Sequence, residues 1–445
     1  MATITTGTTP PRASAPDPAA VDAAPAKRGF AARVSLGRAF APVPSEFLLI
    51  VSTALLLTGF GLVMVLSATM ADAVAAGASP FEVVLKQGAF ALVGVPLMFV
   101  ASRLPVAFWK KIAWPALILT IGFQLLVFVP GLGVSNAGNR NWIQIGGFQM
   151  QPSEFLKLSL ALWLGYVLYR KQNLLRLWRH VFIPVVPVGA LVIGLVAVGS
   201  HDLGTGLVLM AILLGCLFFS GVRLRLFVIP LALVVIAAAA AAFTSENRMR
   251  RITQLFDVDS LSCYTTSCYQ SLHGIWGLAS GGVFGLGLGN SREKYGWLPA
   301  QANDFIFAIL GEELGLIGCL VVLGLFTLFA VGAFHVIRKT RDPFIRIVAG
   351  GITVWIVGQA LVNIGVVLRL FPVLGVPLPF MSQGGTSLLS VLLACGVLLS
   401  FARTLPPAPA GSLASGSGAS AAGASAQRAA AGARGKAPRR ADRAR

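Results

Sequence analysis

The chain has 445 residues, of which 56% are hydrophobic and 11% charged, with a formal net charge of +19. Soluble globular domains carry about a quarter charged residues, so this composition excludes a soluble protein and points to an all-α, polytopic membrane protein. The basic excess lies in the tails and in alternate loops, which argues against a nucleic-acid partner.

Residues 1–45 are rich in Ala, Pro and Thr and contain no apolar h-region, so they read as a disordered tail and not as a signal peptide. Ten apolar spans follow, at about 46–68, 82–101, 112–130, 152–169, 181–199, 203–220, 224–243, 302–334, 344–368 and 386–403, each near the ~20 residues that cross a bilayer core. The joint SHDLG (200–204) either separates two spans or kinks one long helix. Residues 404–445 form a second disordered, basic tail. One set of alternate loops, RLPVAFWKK, RKQNLLRLWRH, GVRLR and RKTRDPFIR, holds thirteen Lys and Arg. The positive-inside rule makes that set, and with it both tails, cytoplasmic. The loops 131–151, 244–301 and 369–385 then face outward, the large one lying between spans 7 and 8.

The outer loops and span ends carry most of the acid. In loop 131–151 and the span after it, NRNWIQIGGFQMQPSEFLKLSLALWL (139–164), Pro152 suits a first helical turn. Glu154 and Lys157 share a helical face, either as an intramembrane ion pair or as a cation site at the outer edge of the membrane. Arg140 precedes Trp142, a candidate interfacial anchor. Cys263 and Cys268 lie in the large outer loop, where their spacing permits a disulfide. Cys216, Cys319 and Cys395 sit in apolar runs as packing residues. No CxxC or Cys/His cluster suggests a metal site.

Further along, GGVFGLGLGNSREKYGWLP (281–299) is glycine-rich without a nucleotide-binding pattern. Its Arg292 and Lys294 could wrap an anionic headgroup. In QANDFIFAILGEELGLIG (301–318), Asp304 is either the N-cap of span 8 or a functional acid at its mouth. On a continuous helix Glu312 lies ~12 Å deeper and turned about 80°, while Glu313 faces the opposite side; pairing with cations on other helices is their alternative role. In NIGVVLRLFPVLGVPLPFMSQGGTSLL (363–389), three prolines and Gly375 break the helix at the outer surface, with Asn363 and Arg369 toward the same side. A phosphate-bearing substrate at the outer leaflet suits Arg140, Lys157, Arg292, Lys294 and Arg369 around Asp304.

These segments, with HDLGT, resemble the SEDS family (shape, elongation, division and sporulation) of bacterial cell-wall proteins over about 350 residues. GNSREKYGWLP and GEELGLIG lean toward its division-type members over its elongation-type ones. The resemblance implies the SEDS fold and a peptidoglycan glycosyltransferase that polymerises lipid II in the plasma membrane, at the division septum. It also implies work with a class B penicillin-binding protein and other division-complex membrane proteins. The family's acid falls on Asp304, its Arg on Arg140 and its Lys on Lys157. Glu154, Lys294, Arg292, Glu312, Asn363 and Ser382 are candidate substrate contacts. Here Asn141 intervenes between Arg140 and Trp142, Ala302-Asn303 stands where many members have a His before the acid, and Gln383 replaces a common Tyr.

One carboxylate can serve as base because lipid pyrophosphate is a good leaving group. Cationic side chains or a divalent ion, magnesium or manganese, could stabilise the developing charge. A lipid transporter would instead need polar groups along a full crossing path, and a scaffold would need no catalytic acid.

Overall fold

The computed structural model describes residues 44–136, 139–175, 177–227, 232, 249 and 268–405. The elements run α1 (Ser45–Ala75), α2 (Glu82–Ala101), α3 (Val106–Leu126), three short strands, α4 (Pro152–Arg170), α5 (Trp178–Gly194), α6 (Leu203–Phe219), α7 (Tyr269–Gly281), α8 (Ile306–Lys339), α9 (Pro343–Val367) and α10 (Gly385–Ala402). Seven helices among the described residues are long and apolar enough to cross a membrane: α1, α2, α3, α5 with its extension to Gly199, α8, α9 and α10. α6 is apolar but shorter. The seventh expected span, 224–243, lies outside the described residues except for a 3-10 turn at Leu224–Phe227 and residue 232. Both tails lie outside as well, apart from the residues at their inner ends, and so does Cys263.

α4 is the centre of the bundle. It packs against α3, α6, α9 and α10, and Leu156, Leu160, Trp163 and Leu164 are fully buried. A helix enclosed by protein can carry charge where a lipid-facing one cannot. Around it, α10 packs on α2, α1 on α8, and α9 on α6. Close α6–α9 contact rests on Gly350 and Gly351, whose missing side chains make room for the Phe219 ring and the Cys216 sulfur. The SHDLG joint is a tight reversal and not a kink. His201 takes φ 59°, and Gly206 and Gly189 abut Ala197 and Leu213, so α5 and α6 form an antiparallel hairpin.

Two features depart from the expected all-helical outline. Loop 131–151 holds an antiparallel sheet of β1 (Gly133–Asn136), β2 (Asn139–Ile145) and β3 (Phe148–Met150), in that order. Gly146, at φ 61°, turns β2 into β3. The second departure is in α8, expected as one helix over 302–334. Residues 301–305 form a turn, and the helix breaks at Gly315, which has φ 66° and ψ −164°. Only glycine tolerates that conformation, and a Cβ there would lie 2.4 Å from the Gly285 nitrogen. The backbone groups freed by the break pair with the glycine-rich loop. Leu316 and Ile317 N–H donate to the carbonyls of Gly282 and Val283, while Leu286 and Gly287 N–H donate to those of Glu312 and Glu313. The glycines of 281–289 therefore serve close backbone approach to a broken helix, and every freed group in that exchange finds a partner.

Candidate active site

The C-terminal end of α1, the N-terminal ends of α2, α4, α6, α8 and α10, and the C-terminal end of α9 share one end of the bundle with the sheet and the loops 282–305 and 368–384. The candidate residues gather there.

Asp304 lies in the turn Gln301–Phe305, ahead of α8. Phe305 occupies the N-cap position and no side chain caps the helix, so Asp304 is not the cap. Its side chain is half-buried, with Oδ2 3.8 Å from where a Cβ would stand on exposed Gly375. The turn is held through its backbone. Ser382 Oγ donates to the Asn303 carbonyl at 2.6 Å, Asn363 Nδ2 to the Asp304 carbonyl at 2.7 Å, and Gln383 N–H to the Ala302 carbonyl at 2.8 Å. Gln301 Nε2 donates to the Ala68 carbonyl and to Asp72 of α1. Each such bond contributes about 0.5–1.5 kcal/mol, and together they fix the turn from three elements.

Asn363 and Ser382, expected to touch substrate, are instead buried positioning groups for this turn. Asn363 also bonds the Val376 carbonyl, and Ser382 Oγ accepts from Leu378 N–H, which ties the proline-rich segment to the same point.

Glu312 and Lys294 also require correction. Both are 1% exposed, which leaves them no surface for a headgroup. Glu312 accepts from Ser291 Oγ, from the backbone N–H of Arg292 at 2.9 Å and of Glu293 at 3.4 Å, and from Ser280 Oγ at 3.3 Å. Glu313 accepts from Ser67 Oγ of α1 and from Lys294 Nζ at 3.1 Å. Lys294 Nζ also donates to the Gly289 carbonyl at 2.6 Å. The two acids pin loop 289–294 onto α8 and α1, and the cation that Glu313 pairs with lies in that loop and not on another helix. Arg292, by contrast, is exposed.

Glu154 and Lys157 form the ion pair that the sequence offered as the alternative. Lys157 Nζ sits 2.9 Å from the Glu154 carboxylate and 3.1 Å from Gln359 Oε1 of α9. Gln359 Nε2 reaches the Pro377 carbonyl, and Ser390 Oγ of α10 donates to Glu154. The pair is buried and couples α4, α9, α10 and the proline-rich segment. Arg140 is half-buried on β2, its backbone N–H bonded to the Ser200 carbonyl at 3.1 Å.

Two clusters escaped the sequence reading. Asp202 is 5% exposed and accepts from Thr205 N–H and Oγ1, Asn141 Nδ2 and Gln151 Nε2. The other joins His273 of α7 to Glu293, Nδ1 to Oε2 at 2.6 Å, among the rings of Tyr269, Trp276 and Trp297. Burial pushes the Glu293 carboxyl above its ordinary value; neighbouring Glu312 adds to the rise and His273 opposes it. The D of HDLGT was visible as a motif, but nothing local names its partners. His273 shares no face with another His, so it carried no signal. Cys268 is buried and disulfide-bonded. Among the described residues no three His, Cys, Asp or Glu gather as a metal-holding group.

Residues 47–405 match the FtsW/RodA/SpoVE cell cycle protein family. The chain belongs to this family. It is 37% identical over 366 residues to the probable peptidoglycan glycosyltransferase FtsW of Mycobacterium tuberculosis, covering 82% of this chain and 69% of that one. It is 37% identical to stage V sporulation protein E of Bacillus subtilis, over 80% and 97% of the two chains. Two solved structures share the fold. One comes from work on the coordination of polymerization and crosslinking by a peptidoglycan synthase complex, with TM-score 0.64, 23% identity and coverage of 80% and 96%. The other is the rod shape determining protein RodA of Thermus thermophilus, with TM-score 0.59, 24% identity and coverage of 80% and 95%. Within the FtsW/RodA/SpoVE fold, this chain is a multi-pass membrane protein whose polar groups converge on one end.

Proposed function

We propose that this chain is a peptidoglycan glycosyltransferase that polymerises lipid II, with Asp304 as the catalytic base. The observation that carries the reading is the Asp304 turn: a half-exposed carboxylate in a turn whose backbone is gripped by α9 and the segment before α10 and whose Gln301 side chain is tied to α1. Family membership and the names of the relatives support the same activity. A reacting group held this way needs little reorganisation when substrate arrives.

The acceptor sugar hydroxyl loses its proton to Asp304 as its oxygen attacks the donor's anomeric carbon, and the bond to the lipid pyrophosphate breaks. Pyrophosphate departs without a second carboxylic acid, unlike the alkoxide of a glycoside. Half-buried Arg140 and exposed Arg292, at the same end, suit the anionic substrate. Asp304 alone is too small a donor set for a cation cage, but one carboxylate plus substrate phosphates is a common way of holding magnesium. An ion held so would neutralise charge on the pyrophosphate.

The thirteen loop cations support an orientation with both termini in the cytoplasm and the Asp304 end at the outer leaflet. The division-type motifs and relatives support work at the septum beside a class B penicillin-binding protein and other division-complex proteins. The buried acids Glu154, Glu312 and Glu313 lie in the outer part of their helices, which favours surface chemistry over passage across the membrane. The test is glycan formation from purified lipid II with the partner transpeptidase present. The wild type makes glycan and Asp304→Asn does not. Wild-type polymerisation by Asp304→Asn would remove the assignment, and lipid II movement between leaflets without glycan would replace polymerase with transporter.

A further inference from the structure

β2 carries a bulge. Its register against β1 pairs Val134 with Trp142 and Ser135 with Arg140, so Asn141 has no partner across the ladder. A bulge re-aims the side chains beside it. Here the faces separate cleanly: Asn141 and Ile143 are buried, while Arg140, Trp142 and Gln144 are half-buried or exposed. Asn141 is 8% exposed, and its Nδ2 donates to Asp202 Oδ2 at 2.9 Å. Its Oδ1 is buried without a hydrogen-bond partner. A buried orphan acceptor is costly, so packing alone does not explain an asparagine at this point.

Asp202 is a fixed post. It caps α6 through Thr205 N–H at 2.9 Å, and its own N–H donates to the Val196 carbonyl. One residue before this bond the strand is held again, by Arg140 N–H to the Ser200 carbonyl. A strand slipped by one residue would turn Arg140 inward and Asn141 outward.

We infer that Asn141 and Asp202 are positioning residues: their bond locks the bulge and sets the face on which Arg140 is presented to the substrate's phosphates. This deepens the proposed function and rests on Arg140 binding substrate. The bond itself is tested separately from that reading.

The experiment uses the full chain, purified with its partner transpeptidase, and compares Asn141→Ala, Arg140→Ala and the double variant. Asn141→Ala should raise KM for lipid II roughly tenfold, the scale of one charge-assisted hydrogen bond, with kcat within about twofold of wild type. The double variant should match Arg140→Ala alone, because the anchor acts only through the arginine. Multiplying effects in the double variant, or a wild-type KM for Asn141→Ala, would overturn the inference. Hydrogen exchange over 133–145 supplies a readout apart from activity. Asn141→Ala should speed exchange there while leaving α9 and α10 protected, and unchanged exchange sinks the anchor whatever the kinetics. A wild-type KM for Arg140→Ala removes the arginine's substrate role, and with it the inferred consequence of the bond. Asp202→Asn, which keeps an oxygen for the α6 cap through Thr205 N–H but places an amide against the Asn141 and Gln151 donors, should repeat the KM effect.

Discussion

Asp304 and the Glu312–Glu313 pair lie within ten residues of each other, yet the fold treats them in opposite ways. At Asp304 the surrounding side chains grip the backbone and leave the carboxylate half-exposed. At Glu312 and Glu313 the carboxylates themselves are consumed, by three serines, backbone N–H groups and the Lys294 amine, and almost no surface remains. A held backbone with a half-exposed side chain is the condition for chemistry. A saturated, buried carboxylate is the condition for structure, because removing one partner strands the other in a low-dielectric interior.

The strongest way to break this contrast is to neutralise each acid in turn. Asp304→Asn should leave insertion and thermal stability near wild type, since the change keeps the side chain's size and Asp304 is not the cap of α8, while glycan synthesis falls by at least ~10²–10⁴. Parallel melting curves and lipid II assays separate the two effects. Glu313→Gln should do the reverse, because it leaves the Lys294 amine buried without its counter-charge. The expected loss is about 3–5 kcal/mol of stability, read as detergent-solubilised protein that melts early, with activity lost in proportion to folded protein. A fully stable, inactive Glu313→Gln variant would place that acid in the chemistry instead.

Ser382→Ala sharpens the comparison at smaller scale. It frees the Asn303 carbonyl and Leu378 N–H at a cost of about 1–3 kcal/mol, and should lower kcat while leaving KM for lipid II unchanged. A raised KM would return Ser382 to direct substrate contact.

The smallest effect concerns Glu293. Its carboxyl binds its proton more tightly in the folded chain than in the unfolded one, chiefly through burial. Its contribution to stability is therefore complete below the ordinary carboxylate value of 4.5 and is lost as the pH rises through the elevated one. Melting temperatures of wild type and Glu293→Gln, taken from pH 4.5 upward, should diverge in slope over that window, with the flatter curve belonging to the variant. Parallel curves would mean that the carboxyl is not held in its protonated form by the fold.

Much of the architecture could be read from residue order. The spans are runs of apolar residues, and the central Glu154–Lys157 pair is a spacing of three on one helix. Asp304 stood out as an acid beside an apolar run. The break at Gly315 did not stand out, since GEELGLIG continues the helical pattern and only contact with Gly285 shows why a glycine is needed there. Lys294 looked like a headgroup ligand because its loop is polar, and the acid that claims it lies nineteen residues further along and on another element. The bulge at Asn141 was present only as an extra residue between Arg140 and Trp142.

The sequence by itself determined which segments enter the membrane, which side carries the basic loops, and which acid is offered at the mouth of α8, because hydropathy and charge are properties of short stretches of chain. Tertiary structure alone decided which charged groups are free to meet a substrate. That depends on partners far away in the chain, 246 residues in the case of Ser67 and Glu313. A buried hydrogen-bonding group must find its partner wherever packing brings one, and no local pattern records where that will be.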